Sequence, residues 1–97
     1  MALTRTVAID HAHEGIRCVS ISPGTIDTPL TQITAASFEG RDPEDLRAQW
    51  AAAHPLNRLG TPEEVPATIA FLVSPAAGFI TGSDILIDGG IRSELYA

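Results

Sequence analysis

Ninety-seven residues bound the chain to one domain or a piece of one, and a composition that is 44% hydrophobic and 19% charged is globular, not disordered. Net charge is −6 and all six basic residues are scattered arginines, so no basic stripe exists to track a nucleic-acid backbone. The lack of lysine excludes Schiff-base chemistry and a Walker A loop within these residues; the lone Cys18 excludes an internal disulfide and fits a reducing compartment, the cytoplasm by default; and no apolar run approaches the roughly 18 residues of a membrane span.

The first element reads as a helix from Met1 to about Glu14, closed by Gly15 in the left-handed conformation that glycine favours at helix ends. Its apolar residues do not keep to one stripe, which is the pattern of a helix packed on several sides. Residues 16–22 read as a short strand with Ile16 and Cys18 on one face and Val19 and Ile21 on the other, as in a parallel strand covered by helices on both sides. Pro23-Gly24 breaks it. Leu30 to Ala36 is a short helix. Asp42-Pro43-Glu44-Asp45 starts another, with a capping carboxylate, proline at the first position and acids at the positive end of the dipole. Leu46, Trp50 and Ala53 follow at helical spacing. Thr61-Pro62-Glu63-Glu64 predicts a further start, with Thr61 and Glu64 as a capping box and Pro62 at the first position. Val65, Ile69, Leu72 and Val73 give it a buried stripe, Pro66 removes one early hydrogen bond, and Ser74-Pro75 ends it. Asp84 to Asp88 reads as a buried strand stopped by Gly89-Gly90.

Two strings carry more than their elements. Ile16 to Pro29 runs from a strand through Pro23-Gly24-Thr25-Ile26-Asp27-Thr28, and ligands of open parallel sheets sit outside the carboxyl ends of strands. Leu59-Gly60-Thr61-Pro62-Glu63-Glu64-Val65 leads through Ile69 to Ser74 into Thr81-Gly82 and the ending Ile85-Leu86-Ile87-Asp88-Gly89-Gly90. Together they resemble the C-terminal part of the short-chain dehydrogenase/reductase family over nearly the whole chain.

The resemblance implies an α/β fold: the C-terminal portion of a Rossmann-like, doubly wound parallel sheet, with two strands and three or four helices. Residues 1–97 would be one incomplete domain whose substrate lid spans about 29–54. The family's catalytic and dinucleotide-fingerprint segments would precede Met1, so the chain reads as the second part of an enzyme. The family transfers hydride between NAD(H) or NADP(H) and a small-molecule carbonyl or alcohol, usually as a homo-oligomer, with no nucleic acid or membrane partner. In it, the segment matching Pro23, Gly24, Ile26 and Thr28 binds cofactor: backbone at Ile26 meets the nicotinamide carboxamide, and Thr28 bonds the carboxamide or the pyrophosphate. Gly24 would let backbone approach the flat ring. Thr28 can equally cap the helix that begins at Pro29, and both readings can hold together.

No catalytic residue and no metal ligand is assigned. The Tyr-x-x-x-Lys pair is missing, and Tyr96, with no lysine to lower its pKa, cannot be the family's proton donor. His11 and His13 lie two apart, about 200° around a helix, and so cannot share an ion; His54 is isolated. Leu30, Ile33, Phe38 and Trp50 suit a lid over an apolar pocket, although Trp50 and Leu46 suit ordinary packing equally. Without the acid and the pyrophosphate cradle, the chain by itself is expected to turn nothing over. A non-catalytic module that docks on full-length relatives, or an independent small α/β domain, are the rival readings.

Overall fold

The computed structural model describes residues 1–96; Ala97 and the side chains of 94–96 lie outside that description, Tyr96 among them. The order is α1 (Ala2–Asp10), β1 (Ser20–Pro23), α2 (Pro29–Ala36), α3 (Pro43–Ala52), α4 (Glu64–Leu72) and β2 (Asp84–Ile87), with short 3₁₀ turns at Ala12–Glu14, Pro75–Ala77 and Ile91–Tyr96. The strands pair in parallel, Ser20 with Asp84 through Pro23 with Ile87, so α2 to α4 form the crossover between them. Alternate residues of a strand face opposite ways. Ser20 meets Met1, which precedes α1, whereas Val19 and Ile21 line one groove with Ile69 and Leu72 of α4. The start of α1 and the end of α4 thus approach the first strand from opposite faces, in keeping with the α/β layering of a doubly wound segment.

Local chemistry explains most element ends. Gly15 takes φ +76° after the first helix. The Asp42 carboxylate accepts the Glu44 amide at 3.0 Å, with Pro43 opening α3. Arg17 donates to the Leu72 carbonyl at 2.7 Å and the Ile80 carbonyl at 3.1 Å, closing the C-terminal end of α4 where a cation is favoured.

Several expectations need correction. The first helix stops at Asp10, and the 3₁₀ turn that follows carries the chain to Gly15. That turn breaks the 3.6-residue geometry on which the separation of His11 and His13 rests: their rings reach the same Glu14 oxygen, at 2.8 and 3.7 Å. Among the described residues this remains short of a metal-holding group. The first strand is Ser20–Pro23, because 16–19 has no ladder partner; there Cys18 instead donates its amide to the Thr81 hydroxyl and accepts the Gly82 amide.

The capping box is half made. Glu64 accepts the Thr61 amide at 2.8 Å, but the Glu64 amide goes to the Thr61 carbonyl at 3.1 Å, leaving Pro62 in a turn ahead of the helix. Pro66 then falls at the third helical position, whose N–H has no intrahelical partner to lose. The stripe on α4 is also narrower than its spacing suggests: Leu72 is buried, Val65 half-buried, and Ile69 and Val73 are exposed.

Arg58 forks onto Glu64 at 2.7 and 3.0 Å. That bond, with the Thr61 amide, lowers the Glu64 carboxyl to about 2 and raises Arg58. The native carboxyl is the more acidic, so its contribution to stability is complete above the unfolded value of about 4.3 and is lost as pH falls toward 2. NMR titration of the Glu64 side-chain carbon should show this low midpoint, and Arg58→Met should return it toward the ordinary range. An unchanged midpoint in the variant would assign the shift to the Thr61 amide alone.

Candidate functional site

At the carboxyl end of the sheet, β1 gives way to the loop 24–28, and three distant segments hold it. Gly24 donates to the Ile87 carbonyl at 3.0 Å, continuing the ladder. A Cβ on Gly24 would lie 2.9 Å from Asp88 Cα, 2.9 Å from His54 Nε2 and 3.1 Å from Asp88 Cβ. The glycine is thus required by the protein's own packing, a different reason from the approach to a flat ring that the sequence suggests. Beyond it, Thr25 accepts the Gly60 amide at 3.0 Å and Asp27 donates to the Gly60 carbonyl at 2.8 Å, a parallel bridge centred on Ile26.

That bridge decides which backbone groups stay open. In extended chain the polar groups of alternate residues point opposite ways. The Thr25 carbonyl and the Asp27 amide are spent on Gly60, and among the described residues the amides of Ile26 and Thr28 have no partner. The Ile26 carbonyl accepts the Thr31 hydroxyl. Thr31 has thereby used its proton, so Thr28 donates to the Thr31 hydroxyl at 3.2 Å while accepting the Thr31 amide at 3.3 Å. Thr28 is the N-cap of α2, with φ −122° and ψ 167°. Its hydroxyl keeps a single lone pair for anything else. Pro23 is exposed at the end of β1.

Two residues of this site escaped the sequence reading. His54 is only 3% exposed. One ring nitrogen, Nδ1, lies 2.7 Å from the Trp50 carbonyl, and the other, Nε2, accepts the Thr25 amide at 3.2 Å. A carbonyl only accepts and an amide only donates, so the proton sits on Nδ1 and the imidazole is neutral. Arg47 reaches back from α3 to Asp27 at 2.6 Å, and its buried Nε finds no partner. A histidine just past a helix end is a legible C-terminal signal, but its second partner lies 29 residues upstream.

A cavity of about 440 Å³ opens beside the loop, lined among others by Thr25, His54, Leu56 and Asp88. Of the four cofactor residues named from the sequence, Gly24 borders it, whereas Pro23, Ile26 and Thr28 do not. Its charged groups are already satisfied: Arg58 on Glu64, and Asp88 on the amides of Gly90 and Arg92. Nearby, α2 packs on α3, with Leu46 buried and the Phe38 and Trp50 rings edge to face at 6.5 Å. Leu30 and Ile33 stay exposed, at 72% and 66%. No described helix is long and apolar enough to cross a membrane.

Comparison with known proteins gives this geometry a lineage. The family model described as enoyl-(acyl carrier protein) reductase matches residues 1–92. The chain is 46% identical to the oxidoreductase YxbG of Bacillus subtilis, over 97% of its own length and 34% of the relative. It is likewise 46% identical to the cis-4-hydroxycyclohexanecarboxylate dehydrogenase of Sinomonas cyclohexanicum, over 91% of its length and 32% of that protein. The ligand-free aldohexose dehydrogenase of Thermoplasma acidophilum superimposes with a TM-score of 0.83 at 40% identity, over 95% of this chain and 37% of that one. The chain thus spans about a third of the length of the curated relatives it matches.

Proposed function

Since the chain belongs to the short-chain dehydrogenase/reductase family, we propose that it forms the nicotinamide-side wall, substrate lid and a subunit interface of an NAD(P)-dependent oxidoreductase. The observation that carries this reading is the pair of unpartnered amides at Ile26 and Thr28, at the carboxyl end of a parallel strand. A nicotinamide carboxamide presents a carbonyl oxygen that such an amide can bond, so the residues present suit the group. When bound, the cofactor would accept the hydride from an alcohol carbon or, in its reduced form, give it to a carbonyl.

The chain's own contribution is orientation. The Gly60 bridge keeps the backbone of Ile26 and Thr28 turned outward, Gly24 lets the loop sit close against Asp88, and the hydroxyl of Thr28 adds its remaining lone pair. The α2–α3 pair carries Leu30, Ile33 and Phe38 as an apolar lid surface for a carbonyl or alcohol substrate, and the reducing cytoplasm is its place of action. The same exposed apolar surface also supports a second reading, a non-catalytic module that docks on full-length relatives.

The test is a chimaera in which this chain replaces the matching segment of the Thermoplasma aldohexose dehydrogenase. It should fold, bind nicotinamide nucleotide and oxidise aldohexose. A well-folded chimaera with no affinity for the nucleotide would sink the cofactor reading. Within it, Thr28→Val should weaken nucleotide binding by about 1–3 kcal/mol, roughly 5- to 150-fold, and Thr25→Val should do little. Thr28→Ser, which keeps both cap and hydroxyl, should bind like the parent. Equal affinities for the two valine variants would remove Thr28 from the site.

A further inference from the structure

We propose that His54 is a positioning residue for the cofactor loop, coupling the seating of α3 to the presentation of the Ile26 and Thr28 amides. The inference rests on the nicotinamide-wall reading and adds to it a residue that contacts neither cofactor nor substrate. The ring joins three segments. Through Nδ1 it holds the last turn of α3 at the Trp50 carbonyl, and through Nε2 it holds the Thr25 amide. Its Cβ and Cδ2 lie 3.4 and 3.6 Å from where a side chain on Gly89 would begin.

A merely space-filling histidine would not need both nitrogens. Here each has a partner of opposite polarity, which permits one tautomer and one ring orientation. Losing either partner inside a site this buried leaves a polar group unpaired, which is costly. The loop has no comparable hold on Thr25 from its own side. The Gly60 bridge takes the Thr25 carbonyl and so holds the Thr25–Ile26 peptide, while His54 fixes the amide of the adjoining Gly24–Thr25 peptide, one plane ahead of it.

A second tie comes from α3 itself: Arg47, on the helix, grips Asp27 at 2.6 Å, while His54 stands two residues past the helix end. The lid helix therefore holds the loop at both ends of the segment that carries the free amides. Displacing α3 would release the Thr25 amide and the Asp27 carboxylate together, leaving the orientation of Ile26 to the Gly60 bridge alone.

The experiment uses the chimaera and three substitutions. His54→Gln extends an amide to about the reach of Nε2 and can still accept the Thr25 amide. His54→Asn can serve Trp50 but ends short of Thr25, and His54→Phe fills the volume with neither bond. Loss of the Thr25 bond is expected to raise the nucleotide KM about tenfold in both the Asn and Phe variants, with Gln restoring most of it. Saturating nucleotide should bring kcat back to within about threefold, because the chemistry is untouched.

In the parent, a scalar coupling across the hydrogen bond between the Thr25 amide nitrogen and His54 Nε2 should be visible by NMR. Nucleotide KM values within twofold of the parent for Asn, or losses that follow melting temperature regardless of which bond is kept, would overturn the inference. So would a missing coupling. If the Phe variant does not fold, the Asn–Gln pair still decides. A parent chimaera without nucleotide affinity overturns both this inference and the function it rests on; normal affinity in the parent and in His54→Asn overturns this inference alone.

Discussion

Purified by itself, the 97-residue chain should self-associate, melt without a sharp transition and show no dehydrogenase turnover above background. Among the described residues the buried apolar ones are Ala8, Ala35, Leu46, Leu72 and Ala77, three of them alanines, while thirteen large hydrophobics are exposed, Phe79 completely. The radius of gyration is 16.6 Å, against about 12.5 Å for a compact chain of this length. A two-stranded sheet is marginal in water, and its outer edges offer unpaired backbone to other chains. Too little apolar area leaves water to offset the conformational entropy of ordering the chain. Light scattering after size exclusion and a thermal melt read the outcome. A monomer of 10.2 kDa with a steep, reversible transition would instead support an independent small α/β domain. Clean, stoichiometric docking onto a full-length relative, without turnover, would support the interaction-module reading.

In the chimaera, Gly24→Ala should be the most damaging single methyl group. It meets the Cα of Asp88 and the Nε2 of His54 at 2.9 Å each. Neither can step aside cheaply, since one is backbone beside β2 and the other a buried ring held by two hydrogen bonds. Overpacking of this kind costs about 1–3 kcal/mol and sometimes more. Here it would also part Thr25 from His54, so nucleotide affinity should fall with stability. Gly60→Ala makes the informative contrast. Its Cβ would come within 2.6 Å of Ile26 Cδ1, but that is the end of a flexible side chain. A changed rotamer relieves it, so the melting temperature should fall less. A melting temperature for Gly24→Ala within about 1 °C of the parent would mean a loss well under 1 kcal/mol and no real close approach at this turn.

Features that act over a few residues were legible in the chain itself. The Asp42–Pro43 start of α3 reaches two residues forward, and the cap of α2 by Thr28 three. Gly15 needs only its own positive φ, and the apolar run at Ile85-Leu86-Ile87 marks where β2 lies, although its ladder partner is Ser20–Pro23. The motif strings led to the family for the same reason, since turns and caps repeat as short patterns. The tertiary structure decided what depends on distant partners. The Thr25–His54 bond spans 29 residues, the Ser20 and Ser22 bonds to Asp84 span more than 60, and no local pattern encodes them. It shortened the first strand because a ladder needs a neighbour, and it left Ile69 and Val73 exposed because periodicity marks a face but not what covers it. It also gave Gly24 a reason of its own: the backbone at Asp88 and the ring of His54 occupy the space where any side chain would stand.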